Sequence, residues 1–210
     1  MYVPAAFKVP PDAATRFLHE RGFGIMIAVD GTMPTAVHLP FLVEESADGH
    51  LRLEAHVARA NPFHEIIARA PDVLVTVSGP DAYISPDWYV AKDQVPTWNY
   101  IAVHLRGTAR ILPPEAAAGH SDRLSATFEA RLLPKPPWRS EKMSQDKRRA
   151  MLTAIVAFEI DISGLDATWK LGQHKSRADR IEVARMLAWR GAWSECAIAE
   201  FMQAKLRDDR

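Results

Sequence analysis

Short stretches of alternating apolar and polar residues, punctuated by turn residues, constrain this chain more than any other feature. "FGIMIAV" (23–29), "TAVHLPFLVE" (35–44), "HLRLEAHV" (50–57) and "DVLVTVSG" (72–79) follow one another closely. Side chains two residues apart share a face of a strand, so each stretch predicts a strand with one buried side. Asp30-Gly31 and Asp48-Gly49 lie between them as hairpin signals. "AYIS" and "WNYIAVHLRGTARIL" predict further strands, and "IVAFEIDI" (155–162) a last one. Strands at this spacing, with turn chemistry between them, point to a closed or nearly closed barrel and away from a parallel sheet.

Helices are predicted around this framework. One runs from about Asp12 to Glu20, opening after Pro10-Pro11 and stopping at Gly22. A short one follows Asn61-Pro62 and carries Phe63, Ile66 and Ile67. Residues 114–133 read as helical, with Leu124, Phe128 and Leu132 on one face. "LLPKPPW" (132–138) is a rigid connector to a helix over "SEKMSQDKRRAMLTA". Two helices, about 177–190 and 194–206, end the chain around Gly191, with Trp189, Trp193 and Phe201 expected to pack inward. The reading is one domain over residues 1–210, mainly β, with peripheral helices and a C-terminal helical hairpin.

Composition limits the function. Hydrophobic residues make up 48%, enough for a full core, and 26 basic residues balance 26 acidic ones. No global field therefore draws the chain to nucleic acid or anionic lipid, which argues mildly against duplex DNA as the main partner. The single cysteine, Cys196, excludes an internal disulfide and suits a reducing compartment. The start, "MYVPAAFKVPPDAA", has neither a basic nor an apolar leader region, and no apolar run has membrane-spanning length. The expectation is a soluble, cytoplasmic protein with no membrane partner.

Most familiar chemistries lack a signal. None of the eight histidines falls in an H-x-x-x-H spacing, so no metal site is expected. There is no G-x-S-x-G, no G-x-G-x-x-G and no G-x-x-x-x-G-K-[ST]. The C-terminal hairpin makes a poor DNA reader, because Ser194-Glu195-Cys196-Ala197 would repel phosphate where a recognition helix needs donors. "KRR" (147–149) reads as a solvated helix face.

What stands out is polar residues at strand ends beside an aromatic-rich loop. His38 interrupts an apolar strand; "HVARANP" (56–62) places Arg59 and Asn61 directly after another; "WKLGQHKSRADR" (169–180) carries Lys170, Gln173 and Arg180. Each has a plain alternative: Arg59 as a surface charge, Asn61-Pro62 as a helix cap, Lys170 as a solvated lysine. Together they can hold a phosphate, which needs Arg or Lys, backbone N–H groups and a polar side chain. "SPDWYVAKDQVPTWNY" (85–100) has no regular period yet holds two of the six tryptophans and two of the four tyrosines. Such rings can wall a flat heteroaromatic ligand.

At these residues the chain resembles the FMN-binding regulators of the PaiB family, a branch of the flavin-binding split-barrel superfamily. The resemblance rests on "MYVPAAFKV", "AVHLPFLVE", "HVARANP", "YISPDWY", "VPTWNYIAVHLRG" and "AIVAFEIDI" followed by "WKLGQHK". It departs from the family's usual K-L-S-Q-N at Lys170-Leu171-Gly172-Gln173-His174. The resemblance implies a six-stranded split barrel and a homodimer with FMN at the subunit interface. It places Thr35, His38, Leu39 and Pro40 beside the flavin, His56, Val57, Arg59 and Asn61 at the phosphate, and Lys170 and Gln173 closing the site. Trp98, Asn99 and Tyr100 are expected nearest the cofactor, and Trp88 and Tyr89 in interface packing. Three functions remain open: an FMN-binding negative transcriptional regulator, a flavin-dependent oxidoreductase acting on a small molecule, and a haem-binding relative using His38, His56 or His104. No catalytic residue is assigned.

Overall fold

The first strands do pair as hairpins. In the computed structural model, which describes residues 1–208, helix α1 (Pro11–Arg21) leads into β1 (Phe23–Asp30), β2 (Met33–Glu45) and β3 (Leu51–Ala58). Helix α2 (Phe63–Arg69) and β4 (Asp72–Ile84) follow, then β5 (Thr97–Ile111). Helices α3 (Ala116–Glu129) and α4 (Gln145–Thr153) precede β6 (Ile155–Lys170), and α5 (Arg177–Arg190) and α6 (Trp193–Asp208) close the series. The strand order β1-β2-β3-β6-β5-β4 returns on itself as a six-stranded ring. The mainly β, split-barrel reading of the sequence is the observed fold. No helix among the described residues is long and apolar enough to cross a membrane.

Contacts divide the chain into two compact units. The ring unit comprises residues 15–77 and 105–165, and every strand contributes to it. Its core is the inward face of the period-two pattern: Met26, Leu39, Phe41, Leu53, Val75, Leu105, Phe158 and Ile160 are all buried. The hairpin unit comprises residues 1–14, 78–104 and 166–210 and includes α5, α6 and the far ends of β4, β5 and β6. There Val183, Ala184 and Leu187 of α5 and Ile198, Ala199, Met202 and Leu206 of α6 are buried, the one-sided stripe of paired helices.

Four local readings change. β4 runs through Gly79-Pro80 as one strand, where the sequence reads two. Its buried positions shift from odd (Val73, Val75, Val77) to even (Pro80, Ala82, Ile84), so a one-residue slip absorbs the proline. β6 likewise continues past Ser163-Gly164 to Lys170. The helix predicted over 140–154 begins only at Gln145, because the Ser144 hydroxyl caps it by accepting from the Lys147 N–H. Trp189 and Trp193 are 75% and 74% exposed, not inward. They flank Gly191 at the tip of the hairpin, beyond the last interlocked turn, while Phe201 is half-buried.

Candidate functional site

In the ring unit, the β2–β3 ladder runs from Glu45↔Leu51 to Phe41↔Ala55 and stops. β3 continues against β6 alone, through His56↔Ala157 and Val57↔Val156 to Ala58↔Ile155. Among the described residues, β2 from Pro34 to Pro40 is laddered only to β1. The stretch expected beside the flavin is therefore a free strand edge carrying backbone donors and acceptors. Leu39 points into the core, whereas His38 is exposed and stacks on Phe23 with ring centroids 6.4 Å apart.

The end of β3 is clamped by Arg59. Its backbone N–H donates to the Ala154 carbonyl (2.7 Å), its Nε to Thr153 O (2.7 Å) and its Nη2 to Ile155 O (3.0 Å). Asn61 Oδ1 accepts the Phe63 N–H (3.0 Å), the helix-cap role that was its plain alternative. Arg59 also lines a cavity of about 550 Å³ together with Gln145, Arg148 and Arg149 on its polar side and Leu112, Leu152 and Ile155 on its apolar side. "KRR" is thus partly a cavity wall and not wholly a solvated face.

A polar chain that the sequence does not reveal lies beside it. Arg123 Nη2 donates to Glu54 Oε1 (2.6 Å) and Oε2 (2.5 Å). Glu54 Oε1 lies 2.8 Å from His120 Nδ1, and His120 Nε2 lies 2.8 Å from His56 Nδ1. His120 is fully buried and Glu54 nearly so. Glu54 and His56 share a strand face by their spacing of two, which was readable, but nothing in the sequence tied them to α3. Burial pushes the pKa of both histidines down, helped at His56 by His120 and opposed at His120 by Glu54.

That shift has a pH consequence. The folded state holds both rings neutral, whereas unfolded histidines titrate near about 6.5. Their contribution is complete above that pH, is lost as pH falls through it, and levels off below the depressed folded values. The urea midpoint is expected to be lower at pH 5.5 than at pH 7.5, with the difference reduced in a His56→Gln, His120→Gln double variant. Equal midpoints at the two pH values would contradict it. The depressed carboxylates Asp48, Glu129, Asp179 and Glu182 titrate below this window.

The hairpin unit holds the other expected site residues. Lys170 is the last residue of β6 and donates from Nζ to Thr97 Oγ1 (2.7 Å). Gln173 locks its own turn: Oε1 accepts the Leu171 N–H (2.8 Å) and Nε2 donates to Trp169 O (2.5 Å). Gly172 between them, the first departure from K-L-S-Q-N, has φ +76°, a conformation that L side chains rarely adopt. His174, the second, meets the Phe7 ring edge-on at 5.7 Å. Trp98 is 53% exposed and edge-on to Tyr83, Tyr100 is half-buried, and Asn99 is buried with Nδ2 donating to Met202 Sδ (3.4 Å).

The aromatic loop is held from the start of α5. Asp179 accepts the N–H groups of Val90 (2.8 Å) and Ala91 (2.9 Å), and these bonds with that from Ser176 lower its pKa. Lys175 donates to Gln94 and sits 5.0 Å over the Tyr89 ring. Trp88 is half-buried in a 3-10 turn capped by Ser85. Arg180 is buried beside them, and His104 is half-buried on β5.

These arrangements fit FMN. A free strand edge offers hydrogen bonds to a flat heteroaromatic ring, and guanidinium groups at a cavity suit a phosphate. Among the described residues, no group of three or more His, Cys, Asp or Glu is placed to hold a metal ion.

Comparison with known proteins agrees. Residues 1–164 match the model of a family described as "Putative FMN-binding domain". Protease synthase and sporulation protein PAI 2 of Bacillus subtilis is 33% identical over 208 residues, covering 99% of each chain. The FAD and heme binding protein from Mycobacterium smegmatis shares the fold at TM-score 0.57 and 17% identity, covering 89% of this chain and 80% of that one. The flavocytochrome Anf3 from Azotobacter vinelandii does so at TM-score 0.55 and 16% identity, covering 82% and 73%. A full-length relative at this identity, together with the family match, makes the chain a member of the FMN-binding PaiB family, built on the flavin split-barrel fold.

Proposed function

We propose that the protein is a homodimeric, FMN-binding regulator of the PaiB type that represses transcription in the cytoplasm. The observation that carries the flavin site is the free β2 edge, Pro34 to Pro40, and the arginine-lined cavity at the end of β3 supports it. Thr35, His38, Leu39 and Pro40 would border the ring, and Arg59, with the Asn61 turn, the phosphate. His56 and Val57 form the strand end between them. Trp98, Asn99, Tyr100, Lys170 and Gln173 of a second subunit would complete the site. The two-fold pairing this requires is the commonest among soluble oligomers. The regulatory role follows the resemblance to the PaiB-type regulators, and the Bacillus subtilis relative carries the name protease synthase and sporulation protein. DNA would be the target of such a regulator, although the balanced charge gives it no long-range attraction. Bound FMN supplies redox chemistry of its own. The residues named here would bind and orient it.

Titrating FMN and riboflavin against wild type and Arg59→Ala tests the phosphate assignment, with sedimentation run in parallel for the dimer. One charged hydrogen bond is worth about 1.5–3 kcal/mol, so the variant should bind FMN roughly ten- to a hundredfold more weakly. Riboflavin lacks the phosphate and should bind both proteins alike. Because Arg59 also clamps residues 153–155, an equal loss for riboflavin would reveal a purely structural role. A monomer that still holds FMN stoichiometrically would remove the shared-site arrangement. An absorbance spectrum with a Soret band in place of flavin bands near ~450 nm would favour haem instead.

A further inference from the structure

The chain Arg123–Glu54–His120–His56 determines where its protons sit. Arg123 is always charged and donates to both Glu54 oxygens, so Glu54 is an ionised acceptor. His120 Nδ1, 2.8 Å from Glu54, must then carry a hydrogen. A neutral imidazole has one N–H, so His120 Nε2 is bare and accepts. His56 Nδ1, 2.8 Å away, must therefore donate, which leaves a bare lone pair on His56 Nε2. No protein group among the described residues engages that atom.

His56 lines a cavity of about 200 Å³ that has no β2 residue in its walls and shares Arg148, Leu152 and Ile155 with the larger arginine-lined cavity. Trp138, Met143, Met151 and Leu152 give it apolar walls, and the hydroxyl-bearing Ser121 and Ser125 stand beside them. Its two charged lining groups, Asp122 of α3 and Arg148 of α4, pair with each other at 2.9 Å and so nearly cancel. The remaining charges around the histidines are Glu54 of β3, Arg123 of α3 and Glu44 of β2, the last 3.9 Å from Arg123. A largely apolar site thus holds one ring-nitrogen acceptor fixed by groups behind it, alongside the paired Asp122 carboxylate and the hydroxyls of Ser121, Ser125 and Ser140.

We propose that this cavity binds a small neutral aromatic molecule bearing one acidic O–H, of the phenol class, whose proton is accepted by His56 Nε2. The proposal does not rest on the flavin reading. When the proton transfers, the O–H bond breaks, an N–H forms at His56 Nε2, and the Nδ1 hydrogen passes to His120 Nε2. The product is a phenolate, with the balancing positive charge on His120 beside Glu54. Acidification fills the acceptor, so binding should weaken as pH falls into the range where the histidine pair protonates.

The probes are 4-nitrophenol and 4-nitroanisole, which lacks the O–H, titrated into the full protein with and without FMN. Wild type should bind the phenol about tenfold more tightly than the ether, the worth of one hydrogen bond, and His56→Phe should bind the two alike. Nitrogen NMR of labelled histidines in wild type should show Nδ1–H tautomers at both His56 and His120, a readout that stands even if the variant fails to fold. Equal affinity for the two probes, no binding of either, an Nε2–H tautomer at His56, or displacement of FMN by the phenol would each overturn the proposal.

Discussion

Gly107→Ala is expected to lower the melting temperature by roughly 6–20 °C. A Cβ at Gly107 would stand 2.3 Å from Asp161 O and 2.9 Å from Ile160 Cγ2. The first of these atoms is backbone, so no rotamer change relieves it; β5 and β6 must separate. β6 cannot yield freely, because on its other side Asp161 and Ile160 are laddered to Arg52 and Leu53 of β3. Overpacking costs about 1–3 kcal/mol where side chains can adjust, and about 3–5 is expected where a backbone ladder must shift. For a chain of this size each kcal/mol moves the midpoint about 2–4 °C. Calorimetry on the purified variant reads this directly, and a midpoint within about 2 °C of wild type would show that the sheet tolerates the methyl group.

Glu54→Ala should cost about 2–4 kcal/mol. Losing a partner from a buried ion pair costs about 3–5 kcal/mol when the orphan charge stays buried. Here Arg123 is half-exposed and can turn to water, which removes part of that penalty. What remains is the buried His120 N–H without an acceptor, about 1–3 kcal/mol, and the hole left by the shortened side chain. Glu54→Gln keeps an acceptor for His120 and should cost less than half as much. Urea unfolding of the three proteins separates the contributions. A cost below about 1 kcal/mol for the alanine variant would mean that the chain of groups is not a structural unit.

Local features were legible where pairing is local. The period-two runs and Asp-Gly turns specify the β1–β2 and β2–β3 hairpins through neighbouring residues, and they appear as read. Gly79-Pro80 and Ser163-Gly164 looked like stops because breakers usually end strands; partner strands kept β4 and β6 extended through them. The candidate residues around His56 and Arg59 were visible as polar breaks after a strand. Glu54–His120 was not, since it joins residues 66 apart on a strand and a helix, and sequence spacing carries no trace of that contact. The aromatic loop was conspicuous by composition, but the Asp179 carboxylate that anchors it lay hidden in an ordinary helix cap.

Both units are assembled from non-contiguous chain. During synthesis, residues 1–14 and 78–104 leave the ribosome well before 166–210, and the hairpin unit cannot close until that last stretch arrives. Residues 15–77 wait likewise for 105–165, so the early strands stand with open edges while translation continues. A single proteolytic cut or a simple gene fusion cannot free either unit intact. Any exchange of parts between relatives has to carry the two together, as one inherited cassette.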